Sequence, residues 1–128
     1  MEQKDLLDAL VQTKRIAAML GETMDLSRQM ADAADRNDQV VVQMLLNMRE
    51  DPIEKLKLAD QALRNQRAAL PPQDGQCLAD LLNGAPPQNE QEKMLAAQVG
   101  ANAARLKQLL ELDQALNRRL TGERSVYQ

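Results

Sequence analysis

Aromatic rings are almost missing from this chain: one Tyr, no Phe and no Trp among 128 residues. A thick globular core usually draws part of its volume from such rings. Without them Leu, Met, Ala and Val must fill the interior, which suits the narrow seams of a helical bundle. Histidine is absent altogether, which removes imidazole general-base catalysis and histidine metal ligation. The single Cys77 cannot close an internal disulfide, fits a reducing cytoplasm and has no partner for nucleophilic catalysis, so it reads as a small apolar filler. The five Gly are scattered and nowhere adopt the spacing of a phosphate-binding loop. No run of alternating β-branched residues is long enough for a strand. The longest apolar run, Val40 to Leu46, is interrupted by Gln43 and is too short to span a membrane. The opening MEQKDLLDAL is acidic and amphipathic, unlike a signal peptide. Net charge is −3 with both signs spread along the chain, so no basic face is large enough for nucleic acid. Asp32 and Asp35 share helical spacing, but a solvated face accounts for them. Enzymatic activity, a cofactor and a metal site are therefore not expected.

What the sequence does contain is helical periodicity. The stretch Asn37 to Leu70 places Val42, Leu45, Met48, Leu56, Ala59 and Leu63 at intervals of three and four, apart from the step across Pro52. A rod of this length, roughly 50 Å at 1.5 Å per residue, cannot bury its stripe on itself. It stands here as the element around which the chain is arranged, with partners at Lys4 to Asp35 and Glu90 to Thr121. The expected fold is all-α: an elongated antiparallel bundle of three long, coiled-coil-like helices forming a single domain over 1–128. The helices span about 4–35, 38–70 and 90–121, with a short helix at about 76–83 in the 71–89 connector.

The first helix carries Leu6, Leu10, Thr13, Ala17, Leu20, Met24, Ser27, Ala31 and Ala34 on one line. Ile16, Met19, Leu26 and Met30 lie beside it, and two lines together suit a helix touching two neighbours. Ala17, Ala18 and Gly21 would let a neighbouring helix come close. Asn37 or Asp38 is a good N-cap for the second helix. Pro52 either kinks one continuous rod or breaks it, with Asp51 as N-cap, Pro52 at the first helical position and Glu54 reaching back. Pro71-Pro72 ends that rod, and Gly84 is a natural stop for the short helix.

The last helix is predicted to run to Thr121, with Gly122 as its terminator and 122–128 as a flexible tail. Its stripe is Leu95, Val99, Asn102, Leu106, Leu109, Asp113, Leu116 and Leu120. Ala96, Ala97, Gly100, Ala101, Ala103 and Ala104 are small and predict close packing of its first half. In the second half Leu110 and Leu112 widen the apolar face beyond what one seam requires. A partner-binding surface is therefore assigned to Leu106, Leu109, Leu110, Leu112, Leu116 and Leu120, able to lay its stripe against another protein. Charged substitutions at Leu109 and Leu116, or deletion of 105–128, are its natural probes. Met19, Met24, Met30, Met44 and Met48 sit on the stripes and read as core.

A long first helix, the polar turn ADRND, an apolar-rich second helix VVVQMLLNMRE, a Leu-containing connector, the late series LKQLLELDQALNRRL and a Ser-x-Tyr tail form a pattern. It resembles the FlgN family of bacterial flagellar export chaperones over nearly the whole chain. The resemblance implies a cytoplasmic chaperone that binds hook-associated proteins, the hook–filament junction components, through its C-terminal amphipathic helix. It would prevent their premature polymerisation and deliver them to the type III export machinery. Asn117 and Tyr127 are family-like positions, and Pro52 departs from the pattern. The alternative is a structural coiled-coil adaptor, or a self-associating bundle whose last helix pairs with a second copy.

Overall fold

A computed structural model describes the backbone of residues 1–126 and the side chains of residues 1–121. The described residues form five helices and no strand: α1 Gln3–Asp35, α2 Gln39–Met48, α3 Glu50–Ala69, α4 Pro72–Leu82 and α5 Glu90–Val126.

The hub is α1, not the stretch from Asn37 to Leu70. It packs against α2, α3 and α5, while α4 touches α3 and α5. Its two apolar lines explain this, because together they make a face wide enough for several neighbours. Leu6, Leu10, Leu20, Met24 and Ala34 are buried, and Ile16, Met19 and Leu26 on the second line are half-buried. The seam also holds Thr13, Thr23 and Ser27, all buried. Their hydroxyls donate back into the helix, to Leu10 O (2.9 Å), Met19 O (2.8 Å) and Thr23 O (2.8 Å), so no buried donor is stranded there.

Three apolar clusters are strung along α1. The first joins Leu6 and Ala9 to Leu63 of α3, Leu78 and Leu81 of α4, and Leu95 and Val99 of α5. The middle one is Leu20, Met24 and Leu109, flanked by Leu56 and Leu112. The last joins Met30, Ala33 and Ala34 to Leu45 of α2 and Leu116 of α5. Leu95 thus lies near the start of α1 and Leu116 near its end, so α5 runs in the same direction as α1. The α2–α3 rod runs opposite to both, since Leu45 meets the end of α1 and Leu63 its beginning.

The turn between α1 and α2 closes both helices in three residues. Asn37 adopts φ 57°; its N–H donates to Ala34 O (3.0 Å), and the Asp38 N–H donates to Ala33 O (2.9 Å). This is the Schellman arrangement, with Asn as the residue that tolerates the left-handed region. Asp38 then caps α2 by accepting from Val41 N at 3.2 Å.

Pro52 produces neither of its two expected outcomes cleanly. The rod is interrupted at Arg49, three residues before the proline, and Pro52 lies buried in the first turn of α3. Neither Asp51 nor Pro52 takes the expected capping position. A proline lacks the N–H that would reach the carbonyl four residues back, here that of Met48, and its ring crowds that carbonyl. The first turn of a helix needs no such donor, so the interruption moves upstream until Pro52 falls within it. Arg49 keeps helical angles (φ −65°, ψ −23°), and its N–H still donates to Leu45 O at 3.0 Å. The inward position of that turn goes to Arg49, and Met48, expected in the core, is half exposed.

Pro71-Pro72 does more than stop α3. Pro72 occupies the first turn of α4, so this helix starts about four residues before the expected 76. Gly84, at φ 97°, closes it as expected. Gly75 is buried where α4 folds onto the end of α3; a Cβ there would lie 2.9 Å from the carbonyl oxygen of Arg67. Gly75→Ala is expected to cost about 1–3 kcal/mol through overpacking against a backbone atom that cannot move aside, read as a lower midpoint in urea unfolding. No loss would mean that α4 shifts freely on α3.

The last helix runs past Gly122, which does not terminate it, to Val126. A single Gly inside a helix costs only about 1 kcal/mol. Tyr127 lies outside the described residues. In its first half Ala97, Ala101, Ala103 and Ala104 are exposed, and a Cβ added to Gly100 would meet nothing within 4 Å. The small residues therefore leave a bare surface where close packing was expected. Gly21 likewise faces the guanidinium of Arg105, which donates to Ala17 O at 3.5 Å, and no helix backbone.

Candidate helix-binding groove

Both α3 and α5 pack on α1, yet their backbones stay apart. Among the described residues no Cα of α3 comes within 8 Å of one in α5. Packed helices sit about 8–10 Å apart axis to axis, so a trough remains where a fourth helix of a bundle would run. A cleft of about 580 Å³ lies in it. Thr13, Ile16 and Leu20 of α1 form its floor; Leu56 and Leu63 line one wall, Val99 and Leu106 the other. Ala79 and Leu82 of α4, with Asn83 just after it, line it at the end where α1 begins.

Two polar devices hold the walls in place. Asn102, on the α5 stripe, donates to Thr13 O at 2.8 Å, while Gln66 of α3 donates to Asp5 O at 2.7 Å. Each fixes the longitudinal register of its helix on α1. Near the other end of the trough Arg49 reaches Asp113 with a two-pronged ion pair, at 3.1 and 2.9 Å. The Arg49 side chain is 13% exposed and that of Asp113 is 29% exposed. One guanidinium nitrogen, Nε of Arg49, is buried without a partner. Farther along α5, Arg119 donates to Ala34 O at 3.0 Å and pairs with Asp35.

The six leucines assigned to partner binding fall into three groups. Leu109 and Leu116 are 7% and 6% exposed and belong to the core of this chain. Leu112 and Leu120 are half-buried against the same clusters. Leu106 and Leu110 stay open, at 45% and 54%. Leu106 lines the cleft, and Leu110 is exposed one helical turn farther along α5. The structure therefore leaves one adjacent pair of the six available to a partner and spends the others on α1 and its neighbours.

Sequence reasoning overlooked Arg49, Asp113 and Asn102. The last two were visible as polar residues at seam positions, and a polar side chain in a seam calls for a partner across it. Of the methionines, Met24 and Met30 are buried as expected. Met44 and Met48 instead join Val40 in an exposed line on α2. Cys77 is half-buried; burial, with the nearby Glu92 carboxylate, raises its pKa and keeps it a thiol. No helix among the described residues is long and apolar enough to cross a membrane. No family model matches the chain, and comparison with curated proteins and with solved structures also yields no match.

Proposed function

We propose that this chain is a cytoplasmic chaperone of the FlgN kind. It would bind hook-associated proteins of the flagellum, hold them unpolymerised and pass them to the type III export machinery. The observation that carries the reading is the open trough between α3 and α5, with Leu106 exposed on its α5 wall and Leu110 exposed one helical turn beyond. A client that assembles through its own amphipathic helices exposes an apolar stripe beforehand. A trough that still offers Ile16, Leu56 and Leu106 can cover such a stripe by completing a four-helix packing unit.

The working surface is narrower than the six leucines of α5, and the test changes accordingly. Deleting 105–128 would remove Leu109 and Leu116 from the core, so loss of binding would report unfolding. The doubly substituted chain Leu106→Asp/Leu110→Asp keeps the core intact. It is expected to lose at least tenfold in affinity for purified hook-associated proteins in a pull-down titration, with unchanged helicity by circular dichroism. Capture that survives this change places the surface elsewhere, and failure of the unaltered chain to hold any hook-associated protein overturns the reading.

The second reading, a self-associating bundle or adaptor, draws on a different observation: the exposed line Val40, Met44 and Met48. It expects a concentration-dependent oligomer in sedimentation that Met44→Glu dissolves. A monomer at all concentrations eliminates it.

A further inference from the structure

The α2–α3 rod carries a further line of side chains, separate from the cleft. It runs Val40, Met44 and Met48, then Asp51 and Lys55, then Leu58 and Ala62. The steps are threes and fours throughout, which keeps these residues on one side of a helix. None of them lines the cleft, whose α3 wall is Leu56, Asp60, Leu63, Arg64 and Arg67. The interruption at Arg49 leaves the two halves in phase. The Arg49 N–H donates to Leu45 O at 3.0 Å and the Ile53 N–H to Arg49 O at 3.2 Å, so the helical ladder passes through. The apolar members are open: Val40 is 81% exposed, Leu58 62%, Met44 52% and Met48 50%.

The line reads alike from either end. About a point next to Ile53, Met48 mirrors Leu58, Met44 mirrors Ala62 and Asp51 mirrors Lys55. The flanking amides repeat the symmetry. Gln43 donates to Asn47 (3.2 Å) before the centre, and Gln61 donates to Asn65 (3.0 Å) after it at the same spacing. Asp51 and Lys55 bridge each other at 3.0 Å, both with more than half of the side chain exposed.

We propose that two copies of this chain pair through this face, antiparallel about a two-fold axis near Ile53. A two-fold interface uses the same patch on both sides, so that where residue i meets j, j meets i. A foreign partner calls for no such mirror pattern. Met48 of each copy packs on Leu58 of the other, Met44 on Ala62, and Val40 between Asn65 and Ala69. At the centre Asp51 of each copy faces Lys55 of the other, closing a ring of four alternating charges. Glu54, exposed at the edge near the axis, meets its counterpart across water and keeps the pair reversible. The face from Val40 to Asn65 is about 38 Å long at 1.5 Å per residue and one helix wide. That extent belongs with small, transient interfaces, not with obligate ones. The inference rests on the self-association reading and gives it a register and an axis. It is independent of the client-holding reading, because the residues that line the trough take no part in the pairing.

Sedimentation of the full chain from about 5 to 500 µM should show a monomer–dimer equilibrium. Asp51→Lys makes the centre wholly cationic and Lys55→Asp makes it wholly anionic. Each is expected to weaken the dimer at least tenfold, and an equimolar mixture of the two variants should dimerise again, since mixing restores only contacts between copies. In a Cys77→Ser background, Met48→Cys/Leu58→Cys should be joined into a dimer by a short bis-maleimide. Val40→Cys alone should not be joined, because the two sites lie about 40 Å apart in this register. Circular dichroism confirms that each variant is folded. A monomer at every concentration overturns this inference and the self-association reading together. A dimer that ignores both charge reversals, a mixture that stays monomeric, or a link through Val40→Cys alone overturns the inference and leaves that reading standing.

Discussion

Leu109→Asp and Leu116→Asp will each lower the melting temperature by about 15 °C, whereas Leu106→Asp and Leu110→Asp will hardly alter it. The four residues lie within three turns of one helix, share one side-chain type and look interchangeable in the sequence. They differ in what surrounds them. Leu109 sits with Leu20 and Met24, and Leu116 with Met30, Ala33 and Leu45. Cutting such a buried leucine back to Ala costs about 2–5 kcal/mol. Placing an unpaired carboxylate there adds a desolvation cost and carries the total to about 4 kcal/mol or more. Against a typical total of about 5–15 kcal/mol that is most of the margin of a modest domain. For a domain of this size it corresponds to a fall of about 15 °C in Tm. At Leu106 and Leu110 nearly half of the side chain already meets water, and surface changes of that kind stay within about 0.5 kcal/mol. Thermal melts of the four single variants check this directly. Equal shifts at all four would mean that the second half of α5 is not docked as described.

Asp113→Ala is expected to destabilise the chain by about 3 kcal/mol, because it strands the guanidinium of Arg49 in a largely enclosed site. Arg49→Ala should cost less, about 2 kcal/mol, since the carboxylate left behind has more access to water. The pair Arg49→Met/Asp113→Leu should return close to the starting stability, because apolar groups of similar size need no partner. A double-mutant cycle in urea measures the coupling. A cost below about 0.5 kcal/mol for Asp113→Ala would show that water reaches Arg49 freely. The bridge also has a positional role. It is an ion pair from the α2–α3 junction to α5, across a gap that no pair of Cα atoms from these helices closes to within 8 Å. It thereby sets how far the trough can open at that end.

Much of the local structure was legible. The α1 stripe was readable because each of its positions is apolar, small or a hydroxyl that can bond back to its own helix. Asn37, Asp38 and Gly84 announced helix ends through the backbone conformations and caps that only such residues favour. The break near Pro52 was legible as a disturbance but not as a position, because a proline disrupts the turn before it and is comfortable in the turn after. The α2 surface misled at Met48, where a charged residue took the inward place. Nothing in the sequence marked that exchange, since Arg49 is drawn in by Asp113, sixty-four residues away.

The residues by themselves determined an all-α chain, the starts and stops of most of its helices, and the face that α1 buries. They also showed that α5 has more leucine than one seam requires. Tertiary structure alone decided that α1 is the hub, that α5 lies alongside it in the same direction, and which leucines remain uncovered. The physical reason is that periodicity reports the width of an apolar face but not the angle between the neighbours sharing it. Here two helices settle on α1 far enough apart to leave a gap, and the side of α5 facing that gap keeps Leu106 in the open, with Leu110 exposed one turn beyond.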